Sequence, residues 1–219
     1  MTLLIERNNQ SAYCKSMKTN KELFLFDFDG LLVNTEEIYA QGWIHALKQE
    51  GKTISKNQLS KWCGQSSSAT RQDFEQLFPE PGFYEKIYQK REEFIYCSLE
   101  NGNLHLLPYA KEALSAIQKA HKKSRLVTGS KRKRVLDILS HFQIERFFDQ
   151  IICDDDIHSS KPDPEGYLLA LKGFMRSEAI AFEDSITGLL AAKRAGIEAL
   201  QIPSPDYATL ECVLEYLKK

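Results

Sequence analysis

The chain has 219 residues, 42% of them hydrophobic and 27% charged, with a formal net charge of -1. That length supports a substantial core, as one large domain or a core plus an insertion. The near-neutral balance argues against a nucleic-acid or membrane-surface partner, and no apolar run approaches the roughly 20 residues that span a bilayer. The five cysteines (Cys14, Cys63, Cys97, Cys153, Cys212) are scattered and free of C-x-x-C spacing. They read as reduced thiols of a cytoplasmic protein, without zinc or a disulfide framework. Residues 1–20 read as a polar, loosely held extension with too short an apolar stretch for a signal peptide; Met17 offers an alternative start to Met1.

The first element is an apolar run, Phe24-Leu25-Phe26, without polar alternation, as in a strand buried on both faces of a parallel sheet. Asp27 and Asp29 are expected to end it and, in extended chain, to project to one side, with Gly30 following. Two like charges that close raise each other's pKa or need a cation between them. After Glu36 the period becomes helical, with Tyr39, Trp43, Ala46 and Leu47 in phase and Gly51 placed as a cap. Further helices are expected over about 56–63, 69–78 and 83–100, broken by Pro79, Pro81 and Gly82 and ended by Asn101-Gly102-Asn103. No strand pattern occurs between Glu36 and Leu107.

From Tyr109 onward helices and short apolar strands alternate. Helices are expected at 110–121, 132–142, 164–173, 187–195 and 207–217, and strands at 125–128, 150–153, 179–182 and 198–202. This alternation predicts a Rossmann-like α/β fold, a doubly wound parallel sheet, with an all-helical segment inserted after the first strand. Ligands of such sheets bind beyond the carboxyl ends of the strands.

Those strand ends carry reactive groups. The second leads into Thr128-Gly129-Ser130, a hydroxyl and free backbone N–H groups opening a helix, which suits a phosphate. Past the third comes Lys161, held extended by Pro162, with Pro164 at a helix start. The fourth ends in Glu183-Asp184, carboxylates that suit an oxygen-ligand shell for Mg²⁺. Each motif alone has an ordinary loop reading. Together they fit Mg²⁺-assisted phosphoryl transfer with an aspartate nucleophile, which is ionised at neutral pH without a base to activate it.

Four motifs in order, Asp27-Phe28-Asp29-Gly30, Thr128, Lys161-Pro162 and Glu183-Asp184-Ser185 with Gly188, resemble the haloacid dehalogenase superfamily, in its β-phosphoglucomutase-like branch. The resemblance covers about residues 23–202. It implies Asp27 as the nucleophile forming an aspartyl-phosphate and Asp29 as general acid and base. It implies Mg²⁺ on Asp27, the Asp29 carbonyl and Asp184, with Glu183 as ligand or behind the ligands. Thr128, Gly129 and Lys161 would hold the transferring phosphoryl group. Dehalogenases of the superfamily lack the second acid, so Asp29 argues for phosphate esters.

The same resemblance divides the chain into an extension (1–20), a core (21–35 and 108–219) and a helical cap (36–107), hinged at Thr35 and Leu107-Pro108. It departs from the mutase pattern in the cap. Tyr39 stands where the mutase histidine falls, and His45 lies about 9 Å further along the helix. Ser67 stands near the phosphate-gripping arginine, with Arg71 about a turn away. Ser130 and Lys131 match mutase positions that hold a non-transferring phosphate. Asn34 replaces a more usual Asp and is expected to be tolerated.

The expected activity is hydrolysis of a small phosphorylated metabolite, a sugar phosphate or nucleotide-type monoester, by a cytoplasmic monomer. The rivals are a phosphosugar mutase and a non-catalytic regulatory binding protein on the same fold. Substrate choice is expected to lie around residues 64–71. The run Lys131-Arg132-Lys133-Arg134 reads as a solvated helix face with only Lys131 functional, and Cys153-Asp154-Asp155-Asp156 as a solvated loop. Tyr39, Trp43, Phe83, Tyr84, Tyr88 and Phe94 read as cap core, and the five histidines show no ligand spacing.

Overall fold

The computed structural model describes residues 21–62, 67–202 and 210–217. Five parallel strands form one sheet in the order β3-β2-β1-β4-β5. They are β1 (Leu23–Phe26), β2 (Lys123–Val127), β3 (Gln150–Ile152), β4 (Ala179–Glu183) and β5 (Glu198–Gln201). β1 is central, with Phe26 level with Leu126 on one side and Phe182 on the other. Because the chain winds outward from β1 in both directions, the crevice lies above β1, β2 and β4.

Side chains alternate across the sheet. Phe24, Phe26, Ile180 and Phe182 enter the larger core cluster, while Leu23, Leu25, Ala179 and Ala181 enter the one on the opposite face. Phe182 stacks on Phe26 with ring centroids 5.2 Å apart. Burial on both faces is why β1 shows no polar alternation.

Between β1 and β2 lie α1 (Thr35–Gln49), α2 (Lys56–Trp62), α3 (Ser67–Leu77) and α4 (Phe83–Glu100), then α5 (Ala110–Lys119) against the sheet. α1 to α4 form a helical insert with its own core of Trp43, Leu47, Trp62, Phe74, Tyr84 and Ile87. Its inner ends, through Ile38, Ile95 and Leu99, also join the larger cluster under the sheet. The two connections to the insert run side by side. Leu107 N–H donates to Leu32 O at 2.8 Å and Asn34 N–H to His105 O at 3.1 Å. The Asn34 side chain accepts from His105 N at 2.7 Å and donates to Asn103 O at 3.0 Å. An aspartate there could accept but not donate.

The remaining helices are α6 (Arg132–His141), α7 (Glu165–Ala170), α8 (Ile186–Arg194) and α9 (Glu211–Leu217). Every expected element is present, with ends displaced by up to a few residues. β1 stops at Phe26, so Asp27 to Asp29 belong to the loop beyond it, and β2 starts at Lys123 and stops before Thr128. α7 is shorter than expected, ending at Ala170 rather than Gly173. Cys97 and Cys153 are free thiols. Met1, Cys14, Met17, Cys63, Gly64 and Tyr207 fall outside the described residues, as does the side chain of Cys212. Among the described residues no helix is long and apolar enough to cross a membrane.

Candidate active site

Beyond β1 the chain makes one more ladder bond, Asp27 N–H to Phe182 O at 3.1 Å, then turns tightly with Gly30 N–H on Val33 O. Asp27 is thereby held buried over the sheet edge. Gly30 has φ +75°, and a β-carbon on it would stand 2.3 Å from an Asp184 carboxylate oxygen, so both backbone and space demand glycine. At the end of β4, Glu183 is fully buried, and Ser185 caps α8 by accepting from Gly188 N–H at 3.1 Å. A β-carbon on Gly188 would lie 2.0 to 2.2 Å from the Glu183 carboxylate. The glycine is what lets helix and acid share that space.

Lys161 ties these elements together. Its ammonium donates to Asp27 Oδ1 and to Glu183 Oε1, each at 2.6 Å, and to Val127 O at 2.9 Å. Those three acceptors use all three of its hydrogens. Tyr167 OH donates to the same Glu183 oxygen. The Lys161–Pro162 peptide is cis, and α7 starts just after Pro164, with Asp163 Oδ1 accepting from Glu165 N–H at 2.9 Å.

Asp29 is held separately. Its Oδ2 accepts from Thr128 Oγ1 at 3.0 Å and from Ser130 Oγ at 2.8 Å, while Oδ1 is buried without a partner. Thr128 Oγ1 in turn accepts from Ser130 N–H.

Asp27, Glu183 and Asp184 each offer an oxygen within 4.8 Å of the others. Burial, and then Glu183, push the Asp27 carboxyl well above its usual range, against the pull of Lys161. Burial, Glu36 and Glu183 push Asp184 up to about 7. Four acids thus crowd one cation. Hard oxygen donors in that number, left short of positive charge, fit a divalent cation of the Mg²⁺ kind.

A family profile for haloacid dehalogenase-like hydrolases matches residues 24–202. The chain belongs to that family. It is 27% identical over 185 residues to the phosphorylated carbohydrates phosphatase of Thermotoga maritima, covering 82% of this chain and 83% of that protein. It is 30% identical over 176 residues to the validoxylamine A 7'-phosphate phosphatase of Streptomyces hygroscopicus subsp. limoneus, covering 79% and 81%. The crystal structure of β-phosphoglucomutase from Clostridium difficile superposes with a TM-score of 0.73 at 20% identity, covering 90% of this chain and 97% of that one, which speaks for the fold.

In this haloacid dehalogenase-like hydrolase one cavity of about 150 Å³ is lined by Asp27, Asp29, Thr128, Gly129, Ser130, Lys161 and Asp184. Glu183 sits behind it, against Lys161 and Tyr167. Lys131 does not line it: its ammonium pairs with Asp154 at 2.7 Å. Lys131 and Arg132 face Asp154 and Asp156 of the acidic run after β3, while Lys133 pairs with Asp137 one turn along its own helix. Arg71 is exposed and held by Glu75 and Glu85, whereas Ser67 and Thr70 reach the cavity wall.

The reading of Arg134 as part of a solvated face is corrected: it is buried and lines the cavity, as does Arg91 of α4. Arg134 donates to Glu92 Oε1 at 2.6 Å and to Ser130 Oγ at 3.1 Å. Arg91 donates to the same Glu92 oxygen at 2.9 Å. Both guanidiniums lie 4.7 Å from the Tyr39 ring, and burial and the Arg134 cation pull Arg91 below its ordinary range. A signal for both was present. Arg91 keeps phase with Ile87 and Ile95, and Arg134 with Ile138, so each basic residue occupies an apolar helical stripe. Tyr39, Trp43, Tyr84 and Tyr88, expected as core alone, also form cavity wall.

Proposed function

We propose that this chain is a Mg²⁺-dependent phosphomonoesterase of the cytoplasm. Its substrate would be a small phosphorylated metabolite, a sugar phosphate or nucleotide-type monoester, and its intermediate an aspartyl-phosphate on Asp27. One observation carries the reading: Lys161 bridges Asp27 and Glu183 beside Asp184, while Asp29 is held apart by Thr128 and Ser130. Two carboxylates in different surroundings suit two roles. The names of the two phosphatase relatives point the same way.

Asp27 attacks the phosphorus, and Lys161 orients it and offsets charge on the phosphoryl oxygens. Thr128 and the Gly129 amide hold those oxygens. Asp29 gives its proton to the leaving oxygen and later takes one from the water that cleaves the aspartyl-phosphate. Because Oδ2 is occupied by two hydroxyl donors, the unpartnered Oδ1 is the oxygen that carries that proton. Mg²⁺, held by Asp27, Asp184 and the Asp29 carbonyl with Glu183 behind them, would supply Lewis-acid charge stabilisation. Residues 36–107 act as a cap that excludes water, hinged at the paired connections near Thr35 and Leu107. Exposure of Arg71, paired with Glu75 and Glu85, favours hydrolysis over transfer between two phosphate positions of one sugar.

Phosphate release from a generic aryl phosphate and from a panel of phosphorylated metabolites tests this. Wild-type protein is expected to release phosphate with Mg²⁺ and to stop on chelation. Asp27→Asn is expected to lose about 10⁴-fold or more while melting like wild type. No release from any compound by wild-type protein would overturn the reading.

A further inference from the structure

The floor of the cavity holds acids, but its wall holds two cations that phosphoryl transfer does not require. Arg91 and Arg134 are 6% and 5% exposed, and one carboxylate, Glu92, serves both. A guanidinium carries five N–H donors. Arg91 spends one of them on Glu92, and Arg134 spends two, on Glu92 and Ser130. The stacking on Tyr39 engages their faces and not their in-plane hydrogens, and the Nε of each is buried without a partner. A strut between two helices would complete its own partners, since an unmatched buried cation is costly. This pair is left with a surplus of positive charge and of donors beside Trp43 and Tyr39, where low dielectric strengthens attraction to an anion.

The location says what the anion belongs to. Arg134 Nη2 is 3.1 Å from Ser130 Oγ, which is 2.8 Å from Asp29 Oδ2, so one hydroxyl separates this cation from the proposed proton donor. Six buried side-chain polar atoms lack partners among the described residues. Five of them, on Asp29, Tyr39, Trp62, Arg91 and Arg134, belong to residues lining this cavity.

We propose that Arg91 and Arg134 form an anion subsite, and that the substrate carries a second anionic group, a carboxylate or a second phosphoryl group, a short distance from the phosphate removed. This deepens the phosphatase reading and rests on it. The specificity it describes comes from one residue of the helical insert and one of the core, so the subsite exists only when the two are together.

The test uses three compounds that cannot be hydrolysed, titrated calorimetrically into the wild-type protein with Mg²⁺: 3-phosphonopropionate, its neutral amide, and propane-1,3-diphosphonate. At least one doubly anionic compound is expected to bind about tenfold or more tighter than the amide. Preference for the first assigns a carboxylate, and for the last a phosphoryl group. Arg91→Met and Arg134→Met are each expected to shrink the preference to about threefold or less, and Arg91→Lys to restore part of it. Equal binding of the three compounds by wild-type protein overturns the subsite, whether or not a variant folds. Equal binding with phosphate release intact leaves the phosphatase reading standing. Charge preference without release of phosphate from any metabolite overturns hydrolysis and leaves the subsite.

Discussion

The sheet edge and the helical wall meet around one cavity and are built on opposite rules. At the edge, carboxylates outnumber cations, but the lysine among them spends every hydrogen on a protein acceptor. On the wall, cations outnumber the carboxylate between them and donors are left over. The edge is a machine set in advance, short only of positive charge. The wall is set for something that arrives from outside. Chemistry common to many substrates calls for the first arrangement, and choice among substrates for the second.

Substitutions should separate the two regions by what they change. Asp29→Asn, at the edge, is expected to lower kcat by about 10²–10⁴-fold on an alkyl phosphate, and less on an aryl phosphate whose leaving oxygen needs no proton. Equal losses on both would remove Asp29 from the proton-donor role. Trp43→Ala, in the wall, is expected to cost about 3–5 kcal/mol in denaturant unfolding, because Trp43 packs against Trp62, Phe74, Tyr84 and Arg91. It should raise KM more than it lowers kcat; a loss confined to kcat would erase the division of labour.

A smaller effect concerns the charge deficit at the edge. The Asp184 carboxyl is held near 7, above its unfolded value, so in metal-free protein its ionisation costs stability as pH rises from about 4 through 7. Protons and Mg²⁺ compete for this group. The rise in melting temperature on adding Mg²⁺ should therefore be larger at pH 8 than at pH 5.5, and a shift independent of pH would count against Asp184 as a ligand. The smallest effect is at the hinge. Asn34→Asp keeps the bond from His105 N–H but loses the amide donor to Asn103 O, for a cost of about 1 kcal/mol or less at this exposed site. Chemical denaturation would read it.

The sequence alone determined the α/β winding, the helical insert and the grouping of Asp27, Asp29, Thr128, Lys161, Glu183 and Asp184. Those follow from periodicity and from the rule that parallel strands present their carboxyl ends to one crevice, which are local facts plus topology. What needed tertiary structure was pairing across distance. Arg134 stood in a basic run that looked solvated, and only the approach of α1 and α4 to α6 buries it against Tyr39 and Glu92. Lys131, three residues earlier, precedes the first helical turn on extended backbone and meets Asp154 instead. Residues close in sequence part company because one precedes the helix on extended backbone and the other stands on the turn that α4 covers. Which of them faces the cavity depends on how the helical insert lies over the sheet, and no local pattern contains that.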